Sequence, residues 1–123
     1  MTQKRAICLN CIDGRVQLPV IYWIKDIYKV EHVDMITEPG MDGLIADNNN
    51  PIDDIVRKMK ISIKNNNAVM VFIVGHHDCR ANPRSDLLHN EQVLKAVDRI
   101  KKAITQMPVI GIWVNSEWKV VKL

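Results

Sequence analysis

The chain has 123 residues, 47% of them hydrophobic and 25% charged, and 17 basic against 14 acidic side chains leave a net charge of +3. That length supports one core and not two, so a single domain spanning residues 1–123 without a linker is expected. The longest apolar run, Ala68 to Val74, falls well short of the ~20 residues that cross a bilayer. Aromatic content is only 5% and the cations are spread along helices, so a nucleic-acid partner is not expected.

The polar lead Met1-Thr2-Gln3-Lys4-Arg5 runs into a strand without the apolar core of a signal peptide, which predicts a cytoplasmic protein. Three cysteines, an odd number in that setting, point to reduced thiols serving a metal or catalysis rather than a disulfide framework. Ala6 to Cys11 reads as the first strand, closed by Asp13-Gly14. Pro19 suits a helix's first turn, and Val20, Ile21, Trp23, Ile24, Ile27 and Tyr28 then recur at helical spacing. Trp23 and Tyr28 are read as core or interface packing. Val33 to Thr37 is the second strand, and Glu38-Pro39-Gly40 is a turn.

Met41 to Asn50 reads as a surface loop, with Asn50 placed to cap a second helix that begins at Pro51 and carries Ile52, Ile55, Val56, Met59 and Ile63. That helix stops in Asn65-Asn66-Asn67. Ala68 to Val74 follows as a strand without alternation, the pattern of one covered on both faces. A third helix lies within Ser85 to Gln106, along Val93, Val97, Ile100 and Ile104, and ends before Pro108. Val109 to Val114 is the fourth strand, and Trp118 to Leu123 a possible short fifth at the edge. His32 and His89 are expected at the surface. Strands alternating with helices predict a three-layer αβα fold with a mainly parallel sheet in the order 2-1-3-4. In that order the chain reverses direction between the first and third strands, where ligands bind beyond the strands' carboxyl ends.

Two stretches meet there. Cys11-Ile12-Asp13-Gly14-Arg15 follows the first strand, and Gly75-His76-His77-Asp78-Cys79 follows the third. Thiolate and imidazole are the preferred donors for tetrahedral zinc, so Cys11, His76 and Cys79 form a candidate ligand set. The fourth position is then open to water or to Asp13, as in a reactive site rather than a closed structural one. Cys8 offers a rival. Cys8-x-x-Cys11 could close a Cys3His site or act as a redox pair. Alternation along the strand argues against the closed site, placing residues 7, 9 and 11 on one face and residue 8 among core side chains on the other, while the redox pair would start inside the strand and leave His76-x-x-Cys79 without a purpose. His77 and Asp78 are either partners of the ligands or a solvent-facing loop pair, and Glu38 is read as turn chemistry.

Cys11-x-Asp13-x-Arg15 followed by His76-x-x-Cys79 resembles the β-class carbonic anhydrases in residue type, order and placement after strands. The resemblance implies Cys11, His76 and Cys79 as zinc ligands and Asp13 and Arg15 as a catalytic dyad. It also implies reversible hydration of carbon dioxide to bicarbonate by a zinc-bound hydroxide that the dyad orients, and a homodimer or higher assembly. A relative acting on another small linear molecule, such as carbonyl sulfide or carbon disulfide, and a non-catalytic zinc domain are the alternatives. The chain departs from the family pattern at Arg80, where Gly is common, at His77, where Ser is frequent, and at Thr37-Glu38-Pro39-Gly40, where an Arg-Asn-Ala-Gly type segment is usual.

Overall fold

A computed structural model of the chain describes residues 4–123; the leading Met1-Thr2-Gln3 lies outside them. Five strands form one sheet: β1 (Arg5–Asn10), β2 (His32–Thr37), β3 (Ala68–His76), β4 (Val109–Val114) and β5 (Val120–Lys122). Their order is β2-β1-β3-β4-β5, parallel throughout except for β5, which runs antiparallel to β4. The expected order is therefore observed, and the C-terminal edge strand is present. Among the described residues no helix is long and apolar enough to cross a membrane.

Helices cover both faces of the sheet. On one side α1 (Gln17–Tyr28), entered through a 3-10 turn at Gly14–Val16, lays Val20 and Ile24 against Ala6, Cys8, Phe72, Val74 and Ile112. Trp23 and Tyr28 close round Phe72 with ring centroids 6.3 and 4.9 Å away, the core packing expected of them. On the other side, α3 (Asp53–Asn66) and α4 (Asp86–Ala103) bury Ile55, Met59, Val93, Ala96, Val97 and Ile100 against Ile7, Leu9, Val71 and Ile73. Ser85 caps α4 by accepting a hydrogen bond from the Leu88 amide, and Lys101 and Lys102 complement the partial negative charge of its last turn. Asn67 ends α3 in the left-handed conformation that asparagine tolerates better than most residues.

The segment after the second strand is not a surface loop. Met41–Ala46 is a short helix, α2, with Met41, Asp42 and Ile45 buried and its main contacts on α4. Met41 and Ile45, one turn apart, drive it into the core, and Gly40 starts it at φ +59°, a conformation that favours glycine. The cap of α3 also differs. Ile52 occupies the N-cap position, while the Asn50 amide instead donates to the Leu44 carbonyl and closes the loop behind α2.

His89 is likewise not at the surface. It is completely buried, its Nδ1 2.6 Å from Asp42 Oδ2 and its Nε2 2.7 Å from the Asn82 carbonyl. Both ring nitrogens thus face acceptor oxygens. Asn82 completes the network, its amide donating to Asp42 Oδ1 and to Gln92 Oε1. Gly75 makes room for it, since a Cβ there would meet Asp42 Oδ2 at 2.9 Å and Val93 at 2.6 Å. The network ties α2, α4 and the loop after β3 to one another. Replacing Asp42 with Ala leaves a buried imidazole without its partner, and denaturant unfolding should show a loss of about 3–5 kcal/mol. A loss below about 1 kcal/mol would show that the pair does not hold these elements together.

Candidate metal centre

The pairing of β1 with β3, which sets Leu9 opposite Ile73, carries the ends of both strands into one crevice. β1 ends at Asn10, a fully buried polar residue that the sequence reading passed over. Its Oδ1 accepts the Cys11 amide at 2.8 Å and its Nδ2 donates to the Val16 carbonyl at 3.1 Å. Gln17 clamps the same loop from α1, donating to the carbonyls of Cys11 and Asp13 at 2.7 and 2.9 Å. An amide side chain directly after a buried strand was the only sequence signal for Asn10.

At the end of β3, His76 is 1% exposed. Its Nδ1 lies 2.8 Å from the His77 carbonyl, which fixes the proton on Nδ1. Nε2 then carries a lone pair, and it is buried with no hydrogen-bond partner. A buried polar atom without a partner is costly and is relieved by a ligand. The donor atoms of Cys11, His76 and Cys79 all lie within 4.8 Å of one another, the one such group of three found among the described residues. The two sulfurs are 3.9 Å apart, close to the ~3.8 Å that two thiolates span around tetrahedral zinc at ~2.3 Å each. Donor chemistry, spacing and the unpartnered Nε2 all fit a soft divalent ion such as zinc.

The protonation of the donors fits as well. Burial opposes ionisation of Cys11, but the His76 ring and the Asp13 and Gly40 amides outweigh it and bring the thiol down to about 7. The Gly40 amide lies 3.5 Å from the sulfur. Burial, reinforced by the neighbouring Cys11 charge, raises Cys79 to about 11. Burial also works against a charged His76, yet the facing Cys11 raises its pKa overall. Cys8 stays out of the cluster and burial raises its pKa strongly. The reason differs from simple alternation. Cys8 and Cys11 belong to the same side of the sheet, while Ile7 and Leu9 face the other. The strand ends at Asn10, and the turn that follows carries Cys11 out over the sheet's end, away from Cys8.

Arg15 grips Asp13 from two directions, Nη2 to Oδ2 at 2.7 Å and Nε to Oδ1 at 3.1 Å, while its own amide reaches Oδ1 at 2.9 Å. Those hydrogen bonds hold the Asp13 carboxyl down to about 2 despite some burial. Arg15 in turn pairs with Asp78, through the side chain at 3.2 Å and the carbonyl at 3.1 Å, and stacks 4.5 Å over Trp118. Asp78 thus belongs to the site, and the sequence pattern gave Trp118 no such place. His77 turns away to pair with Asp86 at 3.0 Å. Cys11, Ile12, Asp13, Pro39, Arg80 and Ala81 enclose a pocket of about 220 Å³ beside the donors.

Metal ligands must shed their protons to bind. At pH 8 the Cys11 proton is mostly gone and the Cys79 proton is not. Calorimetric zinc titrations in buffers of different ionisation heat should therefore show more protons released at pH 6 than at pH 8, as Cys11 regains its own. A count that stayed constant across that range would contradict this assignment of protons.

Comparison with known proteins follows the same lines. The carbonic anhydrase of Streptococcus mutans superposes with a TM-score of 0.68 at 12% identity, covering 95% of this chain and 80% of that one. β-Carbonic anhydrase isoform I of Trichomonas vaginalis gives 0.65 at 18% identity, over 98% and 83%. One of two tetrameric β-carbonic anhydrases of Sordaria macrospora gives 0.55 at 10% identity, over 100% and 82%. These likenesses establish the fold. No curated protein matches the sequence significantly. The family described as "Putative carbonic anhydrase" matches residues 1–123, the entire chain. The chain belongs to this carbonic anhydrase family and has the β-carbonic anhydrase fold.

Proposed function

We infer that the chain is a zinc-dependent lyase that reversibly hydrates carbon dioxide to bicarbonate. Cys11, His76 and Cys79 would hold the metal and leave one position free. Zinc bound there supplies a Lewis acid that brings the pKa of a coordinated water toward neutrality. The observation that carries the reading is the Asp13 carboxylate, fixed by Arg15 at the wall of the pocket that Cys11 also lines.

Asp13 is too acidic to keep a proton near neutral pH, so it serves as an acceptor rather than as a base. Arg15 does not exhaust the lone pairs of its two oxygens, and one remains to take a hydrogen bond from a reacting water. That bond fixes where the water's hydrogen points and therefore where its lone pair points, toward the substrate carbon. The new C–O bond makes bicarbonate, and the proton lost by the water leaves to solvent. Asp78 and Trp118 keep Arg15 in place by charge and by stacking, and Arg15 in turn holds the orienting carboxylate.

The reading includes a small-molecule substrate, a cytoplasmic setting that keeps the three thiols reduced, and a homodimer or larger assembly. The exposed Leu18, Tyr22 and Ile27 on α1 and the tetrameric relatives from Sordaria macrospora support the assembly. The test is stopped-flow hydration of carbon dioxide at pH 8 by zinc-quantified protein, compared with Asp13→Ala. The expected result is rapid turnover by the native chain and a kcat/KM lower by about 10²-fold or more in the variant, at equal zinc content. Equal turnover in both would remove Asp13 from the mechanism. Fully zinc-loaded native protein without turnover would overturn the carbon dioxide reading.

A further inference from the structure

We propose that Asp42 and His89 are positioning residues for the metal: the buried pair fixes all three ligand-bearing segments in one geometry, and metal affinity depends on it. The proposal deepens the carbonic anhydrase reading. It rests on Cys11, His76 and Cys79 as ligands of a divalent ion and not on the reaction assigned to that ion.

Neither side chain takes part in the chemistry proposed for the site, since Asp42 is 2% exposed and His89 is completely buried. Each ligand nevertheless connects to the pair through one residue. Cys11 does so through Gly40, whose amide lies 3.5 Å from its sulfur. The Gly40 carbonyl accepts the Leu44 amide at 3.0 Å, which locks it to the first turn of α2, where Asp42 sits. His76 is connected through Gly75, against which the carboxylate lies so closely that a Cβ there would meet Oδ2 at 2.9 Å. Cys79 is connected through Asn82, whose amide donates to the Cys79 carbonyl at 3.2 Å and whose own carbonyl lies 2.7 Å from His89 Nε2. The Asn82 side chain returns to Asp42 Oδ1 at 3.1 Å and joins the two ends.

Apolar burial does not supply this alignment. Met41 and Ile45 seat α2 in the core, but the hydrophobic effect has no direction and does not select which amide meets the sulfur. Hydrogen bonds do have direction. Those of Asp42 and His89 lie in the interior, with the Trp113 ring 5.6 Å from the imidazole, where a low dielectric strengthens them. Stability alone does not call for an ionisable pair there, because apolar residues of similar volume often stabilise as well. A pair that touches the backbone beside every ligand does what apolar residues cannot, which is to hold two thiols and an imidazole at the spacing one ion requires.

The experiment measures zinc and cobalt(II) affinity by competition with a chelator, together with the thiolate-to-cobalt absorption of the loaded protein. His89→Ala breaks the pair and should bind both metals about 10–100-fold more weakly, with a changed cobalt spectrum. His89→Gln keeps a donor for the Asn82 carbonyl and loses the contact with Asp42; it is the milder variant, expected to fold, and should fall between. Ile55→Ala truncates the core on α3 and touches none of these hydrogen bonds. It should unfold at a lower temperature yet bind metal and absorb as the native chain does, which separates lost alignment from lost stability. Native affinity and spectrum in either His89 variant, or an equal loss of affinity in Ile55→Ala, would overturn the proposal. The readout is independent of turnover. Native protein that binds neither metal would overturn the ligand reading and the proposal together, whereas equal binding by the native chain and the His89 variants removes only the proposal.

Discussion

The parallel pairing of β1 with β3 is the constraint on which the site depends. Cys11 lies 65 and 68 residues before His76 and Cys79 in sequence, and nothing local brings them together. The hydrogen bonds between two buried strands do, because their carboxyl ends finish side by side while their connections leave in opposite directions toward β2 and β4. Those strands are held in turn by two apolar layers, with Ile7, Leu9 and Ile73 facing α3 and α4 and with Ala6, Cys8 and Phe72 facing α1. Burying such residues is worth about 1.5–3 kcal/mol each, and that stabilisation places two thiols and an imidazole at one point against the desolvation each of them suffers there.

The site holds its charges in pairs. Cys11 is stabilised as a thiolate by His76 and two backbone amides, and Asp13 as a carboxylate by Arg15. Arg15 is anchored by Asp78 and Trp118. Behind the metal position, Asp42, His89 and Asn82 tie α2, α4 and the loop after β3 together, so the Gly40 amide that faces the Cys11 sulfur and the loop that carries Cys79 share one support.

The sheet order and the three donor residues were legible because their signals are local and strong. Unalternating apolar runs mark buried strands, and Cys and His directly after such runs mark a strand-end site. Met41–Ala46 was not legible because its helix is six residues long and starts at a glycine, with a second glycine inside it. His89 was misplaced for a related reason. A polar residue on a helix reads as solvent-facing unless its partner is known, and Asp42, 47 residues earlier, is paired with it only by the fold. The alternation argument kept Cys8 out of the ligand set on the wrong ground, since the regular two-residue repeat ends with the strand at Asn10 and does not reach Cys11. Asp78 was left undecided for want of its partner, because the ion pair to Arg15 spans 63 residues.

The most direct test of the account is zinc X-ray absorption spectroscopy on the loaded protein. Coordination by Cys11, His76 and Cys79 with one non-protein position gives two sulfurs at ~2.3 Å and two lighter atoms at ~2.0–2.1 Å. Three sulfurs would mean that Cys8 joins the metal and that the site is closed, contradicting both the geometry of the β1 terminus and the chemistry built on an open position.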